Sequence, residues 1–103
     1  MRHEERIHPE PGPEGGPTNY IYRGPAGVIS WIALDADGTE SKLKVHRILV
    51  DGKSAFDNQP GFPWSVFCYG GFMALNIGFR IRSGSNIVVE NGARVSLDLH
   101  VEV

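Results

Sequence analysis

Polar and apolar residues alternate through most of the last third of the chain. Met73, Leu75, Ile77, Phe79 and Ile81 are interleaved with Ala74, Asn76, Gly78, Arg80 and Arg82. From Arg94 the alternation is unbroken: Val95, Leu97, Leu99, Val101 and Val103 take one face, and Arg94, Ser96, Asp98, His100 and Glu102 take the other. A period of two with one apolar face predicts antiparallel strands that cover a core on one side.

Earlier segments give the same kind of signal. Val28, Ile29, Trp31, Ile32 and Leu34 form a run of β-formers ended by Asp35-Ala36-Asp37-Gly38. Residues 42–50 end at Asp51-Gly52, a pair that favours the positive φ angles of a tight hairpin turn. Leu43 and Val45 occupy one face there and Ile48 and Val50 the other, so a β-bulge or a doubly buried segment is expected at His46-Arg47. Residues 58–63 read as a loop, and residues 64–69 as a short aromatic strand closed by Gly70-Gly71. Gly84 and Asn91-Gly92 turn the chain on either side of a strand over residues 87–89. No window carries a 3.6 period. Seven or eight short strands at turn-separated spacing predict an all-β, antiparallel β-sandwich that is jelly-roll-like.

The first residues differ. Pro9, Pro11, Pro13, Pro17, Gly12, Gly15 and Gly16 crowd a stretch whose apolar residues are Met1 and Ile7. Such a composition cannot offset its own ordering entropy, so residues 1–19 are expected to be an extended N-terminal arm, followed by the sandwich domain over residues 20–103. A domain of roughly 80 residues buries only about 60% of its unfolded surface, which favours association with other copies or with a larger surface.

The formal charge of −2 resides in the arm, where Glu4, Glu5, Glu10 and Glu14 outnumber Arg2 and Arg6. The rest of the chain balances, so no bulk attraction for nucleic acid is expected. The single cysteine, Cys68, has no internal disulfide partner. There is neither an apolar run of about 18 residues nor a charged-then-apolar leader, and so neither a membrane partner nor a secretion signal is expected.

Candidate chemistry is sparse. His3, His8, His46 and His100 lack the closely spaced pair of a β-barrel metal site. Asp35 to Glu40 begins like a calcium loop, but glycine stands at its fourth position and histidine at its twelfth, so a hairpin turn is the simpler reading. No Gly-x-Ser-x-Gly elbow occurs, no carboxylate pair is singled out, and Cys68 lies between Phe67 and Tyr69 like a structural thiol. No enzyme, metal or cofactor is expected. The segment from Phe62 to Met73 is different: it holds five of the ten aromatic residues. Alternation from Trp64 separates Trp64, Val66 and Cys68 from Ser65, Phe67 and Tyr69, so either one aromatic face is left for a partner or the strand is buried on both faces. Arg80 and Arg82 share one outward face and suit an acidic partner segment.

Residues 24–103 resemble the small β-sandwich or jelly-roll proteins that decorate tailed-bacteriophage heads. The likeness rests on Gly27-Val28-Ile29-Ser30-Trp31-Ile32, on the hairpin from Lys44 to Lys53, and on the stretch from Phe79 to Val89. It implies a virion structural protein on the capsid surface, made in the host cytoplasm. It further implies a trimer or dimer that bridges the major capsid protein or other virion subunits and extends its terminal arm over neighbours. The expected protein interface comprises Ile7, Pro9, Pro11, Pro13, Tyr20, Tyr22, Trp64, Phe67, Tyr69, Arg80 and Arg82. The alternative is a carbohydrate- or host-surface-binding module of tail-fibre or adhesin type, in which Trp31, Trp64, Tyr20, Tyr22 or Tyr69 stacks on sugar rings.

Overall fold

The computed structural model describes residues 1–12, 17–35, 47–57, 66–69, 72–90 and 95–103; for residues 35, 66–69, 72 and 73 it describes the backbone alone. Nine strands lie in these residues: β1 (Arg2–Ile7), β2 (Thr18–Ile21), β3 (Gly27–Asp35), β4 (Arg47–Val50), β5 (Lys53–Asp57), β6 (Val66–Tyr69), β7 (Phe72–Ile81), β8 (Asn86–Glu90) and β9 (Ser96–Glu102). None of the described residues is helical. All pairings are antiparallel and form two sheets, ordered β1-β9-β3-β7-β6 and β2-β8-β4-β5.

The pairings are nested. β4 pairs with β5 across a tight turn, β3 with β7, β2 with β8, and β1 with β9. Successive pairs fall in alternate sheets, so the chain behaves as one long hairpin wound around a common interior. β6 is an additional edge strand on β7. The wound hairpin turns at Asp51-Gly52, where φ is +50° and +81°. Both values are positive, as in the type I′ turn that the Asp-Gly pair encodes.

Both sheets contribute to one core. Ile29, Ile32, Leu34, Leu75, Ile77, Ile81, Leu97, Leu99 and Val101 come from the five-stranded sheet; Tyr20, Ile48, Val50, Phe56, Ile87 and Val89 come from the other. Period-two alternation therefore holds as expected in β7 and β9, where Leu75, Ile77 and Ile81, and Leu97, Leu99 and Val101, face inward. Val103 is an exception at the chain end, with 54% of its surface exposed.

Two bulges reset the phase. In β3, Ile29 lies opposite Val101 and the next paired residue, Trp31, opposite His100, so Ser30 is an extra residue against β9. Its hydroxyl donates to the carbonyl of His100 at 3.2 Å. Ile29 and Ile32, three positions apart, thus both face the core, and Trp31 turns outward. The second bulge is in β5, where Ala55 is extra between the Ile48–Phe56 and Leu49–Ser54 pairs. The bulge expected at His46-Arg47 falls partly outside the described residues, as do the turns expected at residues 36–38 and 91–92.

The arm expected over residues 1–19 is in part a strand of the domain itself. Arg2 to Ile7 pair in continuous register with Glu102 to Leu97, and the amide of Glu10 donates to the carbonyl of Asn19 at 2.7 Å. Composition misleads here because an edge strand draws its stability from main-chain hydrogen bonds and cross-strand charge pairs rather than from apolar area. Its alternating charges also discourage further pairing at that edge. Gly24 lets this strand approach: a Cβ there would lie 2.5 Å from both His3 Nε2 and the Tyr22 hydroxyl.

Candidate functional site

The residues expected to form an interface are scattered by the fold. Tyr20 and Tyr22 are corrections: both are fully buried. Thr18, Tyr20 and Tyr22 alternate with exposed or half-exposed Asn19 and Ile21, so both rings point into the core. Each hydroxyl has a carbonyl partner at 2.6 Å, Val95 for Tyr20 and Pro25 for Tyr22. Burial and the nearby charge of Glu5 raise the Tyr22 phenol above its ordinary value. Ile7 is a third correction, because at the end of β1 it pairs with Leu97 and joins the core. Pro9 is half-buried and Pro11 exposed on the way to β2. Pro13 and Trp64 lie outside the described residues. Phe67 and Tyr69 lie on β6, aligned with Ala74 and Phe72, and their side chains are outside the description.

What the fold does assemble is the outer face of the five-stranded sheet. Register places three rows across it. The first runs Arg2, Glu102, Val28, Arg80; the second Glu4, His100, Trp31, Asn76; the third Arg6, Asp98, Ala33, Ala74. Ala33 and Ala74 are buried, so the open part of the face is the first two rows and the charged end of the third.

At its centre the rings of Trp31 and His100 sit 4.5 Å apart, tilted by 44°. Both are half-exposed. Glu4 Oε1 lies 3.8 Å from His100 Nε2. Two charge pairs flank the rings. Arg2 Nε donates to Glu102 Oε1 at 3.0 Å, and Arg6 spans both oxygens of Asp98 at 2.9 and 3.1 Å. Glu4, Arg6, Trp31, Asp98 and His100 border a groove of about 360 Å³. This part of the face thus carries two half-exposed rings beside two charge pairs formed between β1 and β9. Among the described residues, no group of three or more His, Cys, Asp or Glu side chains is placed to hold a metal ion.

Arg80 and Arg82, expected on one outward face, are brought together as expected, but at the sandwich end. They are exposed, and with Lys53, Val28, Val50 and Phe79 they border a second cleft of about 790 Å³.

Alternation alone places Trp31 in a run of β-formers and His100 on a polar face, with nothing to bring the two together. The bulge at Ser30 is what aligns the two rings, and the β-former run over residues 28–34 carries no local mark of it. The Glu4–His100 register would have been legible from the charge alternation of residues 2–6 had that stretch been read as a strand. No family model, curated protein or solved structure matches the chain.

Proposed function

We propose that this protein is a virion structural protein that decorates an icosahedral capsid and stabilises it by bridging capsid subunits. Nested pairing of β1–β9, β2–β8, β3–β7 and β4–β5, alternating between two sheets with β6 as an added edge strand, supports reading the sandwich as jelly-roll-like. That fold is used by viral capsid proteins and by lectins. Fold alone does not assign a role. The observation that carries the proposal is the half-exposed Trp31–His100 pair on the outer face of the five-stranded sheet, beside Arg2–Glu102 and Arg6–Asp98.

The outer face of a sheet suits broad contact with another protein surface. The aromatic pair supplies apolar area, and the rim sets orientation. Many copies on one shell, as dimers or trimers at capsomer junctions, multiply the effect of a modest individual contact. The role is mechanical: each copy buries apolar surface against two subunits and slows their separation.

The test is heat release of nucleic acid from shells of the virus that encodes the chain, with and without the purified protein. Bound protein raises the release temperature in a saturable way. Unchanged release at saturating protein overturns the proposal.

A second reading is supported by the groove beside Trp31, where Glu4, Asp98 and His100 supply hydrogen-bonding groups next to an aromatic ring. It is a carbohydrate- or host-surface-binding module. Saturable binding on a glycan array that is lost in Trp31→Ala favours this reading over capsid attachment.

A further inference from the structure

We propose that the cleft between the β4–β5 turn and the end of β7 is a binding site for a tetrahedral oxyanion carried as a phosphate or sulfate ester.

The cations there differ from most others on the described surface; Arg23, outside the cleft, is the exception that also has no ion pair among the described residues. Arg2, Arg6 and Arg47 each have a carboxylate oxygen within 3.0 Å, on Glu102, Asp98 and Glu90. Lys53, Arg80 and Arg82 line the cleft, are exposed, and have no ion pair among the described residues. The cleft has one carboxylate, Asp51, and it is already engaged. Its Oδ2 accepts from the Ser85 hydroxyl at 2.7 Å and its Oδ1 from the amide of Asn86 at 3.0 Å. Three cations against one committed anion leave the cleft positive, and a concave wall concentrates that field.

The donor chemistry narrows the ligand. Arg80 and Arg82 offer two planar guanidinium forks, which match the paired oxygens of phosphate and sulfate better than a point charge does. Lys53, on the facing hairpin, closes the group from the other side. The remaining wall is apolar, formed by Val28, Val50 and Phe79. A cleft of about 790 Å³ is far larger than a bare oxyanion, so the organic part of an ester has a surface to lie on. Gly78 leaves the floor open, since a Cβ built there meets nothing within 4 Å.

The experiment is calorimetric titration of the full chain at low salt with two probes, tripolyphosphate and a heparin-derived sulfated hexasaccharide. Arg80→Gln/Arg82→Gln removes the forks. Gly78→Glu places a negative charge in the cleft without touching them. Arg47→Gln removes a cation outside the cleft, and circular dichroism melts confirm that each variant is folded. Saturable binding of at least one probe is expected, weakened by about tenfold or more in both cleft variants and unchanged in Arg47→Gln. Binding of tripolyphosphate alone identifies a phosphate source, and binding of the hexasaccharide alone a sulfated glycan. No saturable binding of either probe, or an equal loss in Arg47→Gln, overturns the proposal.

Discussion

Ser85 donates its hydroxyl to Asp51 at 2.7 Å, joining the tip of the wound hairpin to the turn that links β7 and β8. Ser85 is fully buried, and its oxygen also accepts from the amide of Arg82 at 3.0 Å. One carboxylate thus anchors the turn at the centre of the nested pairing to the strand pair outside it. The hydrogen bonds from Ser85 and Asn86 hold the Asp51 carboxyl below its ordinary value of 3.8; the charges of Arg82 and Lys53 assist, and partial desolvation opposes them.

A depressed value in the folded state gives stability that is fully present above the unfolded value and lost as pH falls through the folded one. Thermal melts of wild type and Asp51→Asn should therefore converge as pH drops below about 4. Above that pH the wild type melts higher. Asp51→Ala is worse than Asp51→Asn, because alanine leaves a buried hydroxyl donor unpaired at a cost of about 1–3 kcal/mol. Alanine also fits the φ of +50° poorly, whereas asparagine tolerates it. A constant gap between wild type and Asp51→Asn down to low pH would show that the charge contributes nothing.

Deleting residues 1–8 removes the main-chain partner of β9 along six registered pairs and uncovers Leu97. The urea midpoint should fall further than in Ile7→Ala, which alone costs about 2 kcal/mol. A midpoint unchanged by the deletion would mean that β1 is no part of the domain.

Thr18 is fully buried, and its hydroxyl has no hydrogen-bond partner among the described residues. Valine has nearly the same shape without the unsatisfied group. Thr18→Val should raise stability by about 1 kcal/mol, read from the same urea curves. Loss of stability would imply a partner for that hydroxyl.

The sandwich was legible in the chain where the signal is local. Alternation in β7 and β9 and the Asp51-Gly52 turn need only nearest neighbours, and the structure carries them as read. Long-range causes were not legible. Residues 2–7 are polar and look unfoldable until the open edge of β9 is beside them. Tyr20 and Tyr22 looked like surface rings because the domain boundary was drawn through β2, splitting Thr18 from an alternation it begins. The Trp31–His100 pair depends on one inserted residue, Ser30, and on strands far apart in sequence. Arg80 and Arg82 did read correctly as outward, since they follow the β7 alternation. What they share a cleft with was set by the hairpin tip carrying Lys53.

The opposite sheet supplies a control for the proposed attachment face. Leu49 and Val88 pair across β4 and β8 and are half-buried on its outer side. The most direct measurement of the proposed capsid role is co-sedimentation of the purified chain with the capsid shells that the proposal assigns to it. It compares wild type with Trp31→Ala/His100→Ala and with Leu49→Ala/Val88→Ala. The account predicts that the first variant loses about tenfold or more in apparent affinity while keeping a near-normal melting temperature, and that the second binds like wild type. Full binding by the Trp31→Ala/His100→Ala variant would contradict it.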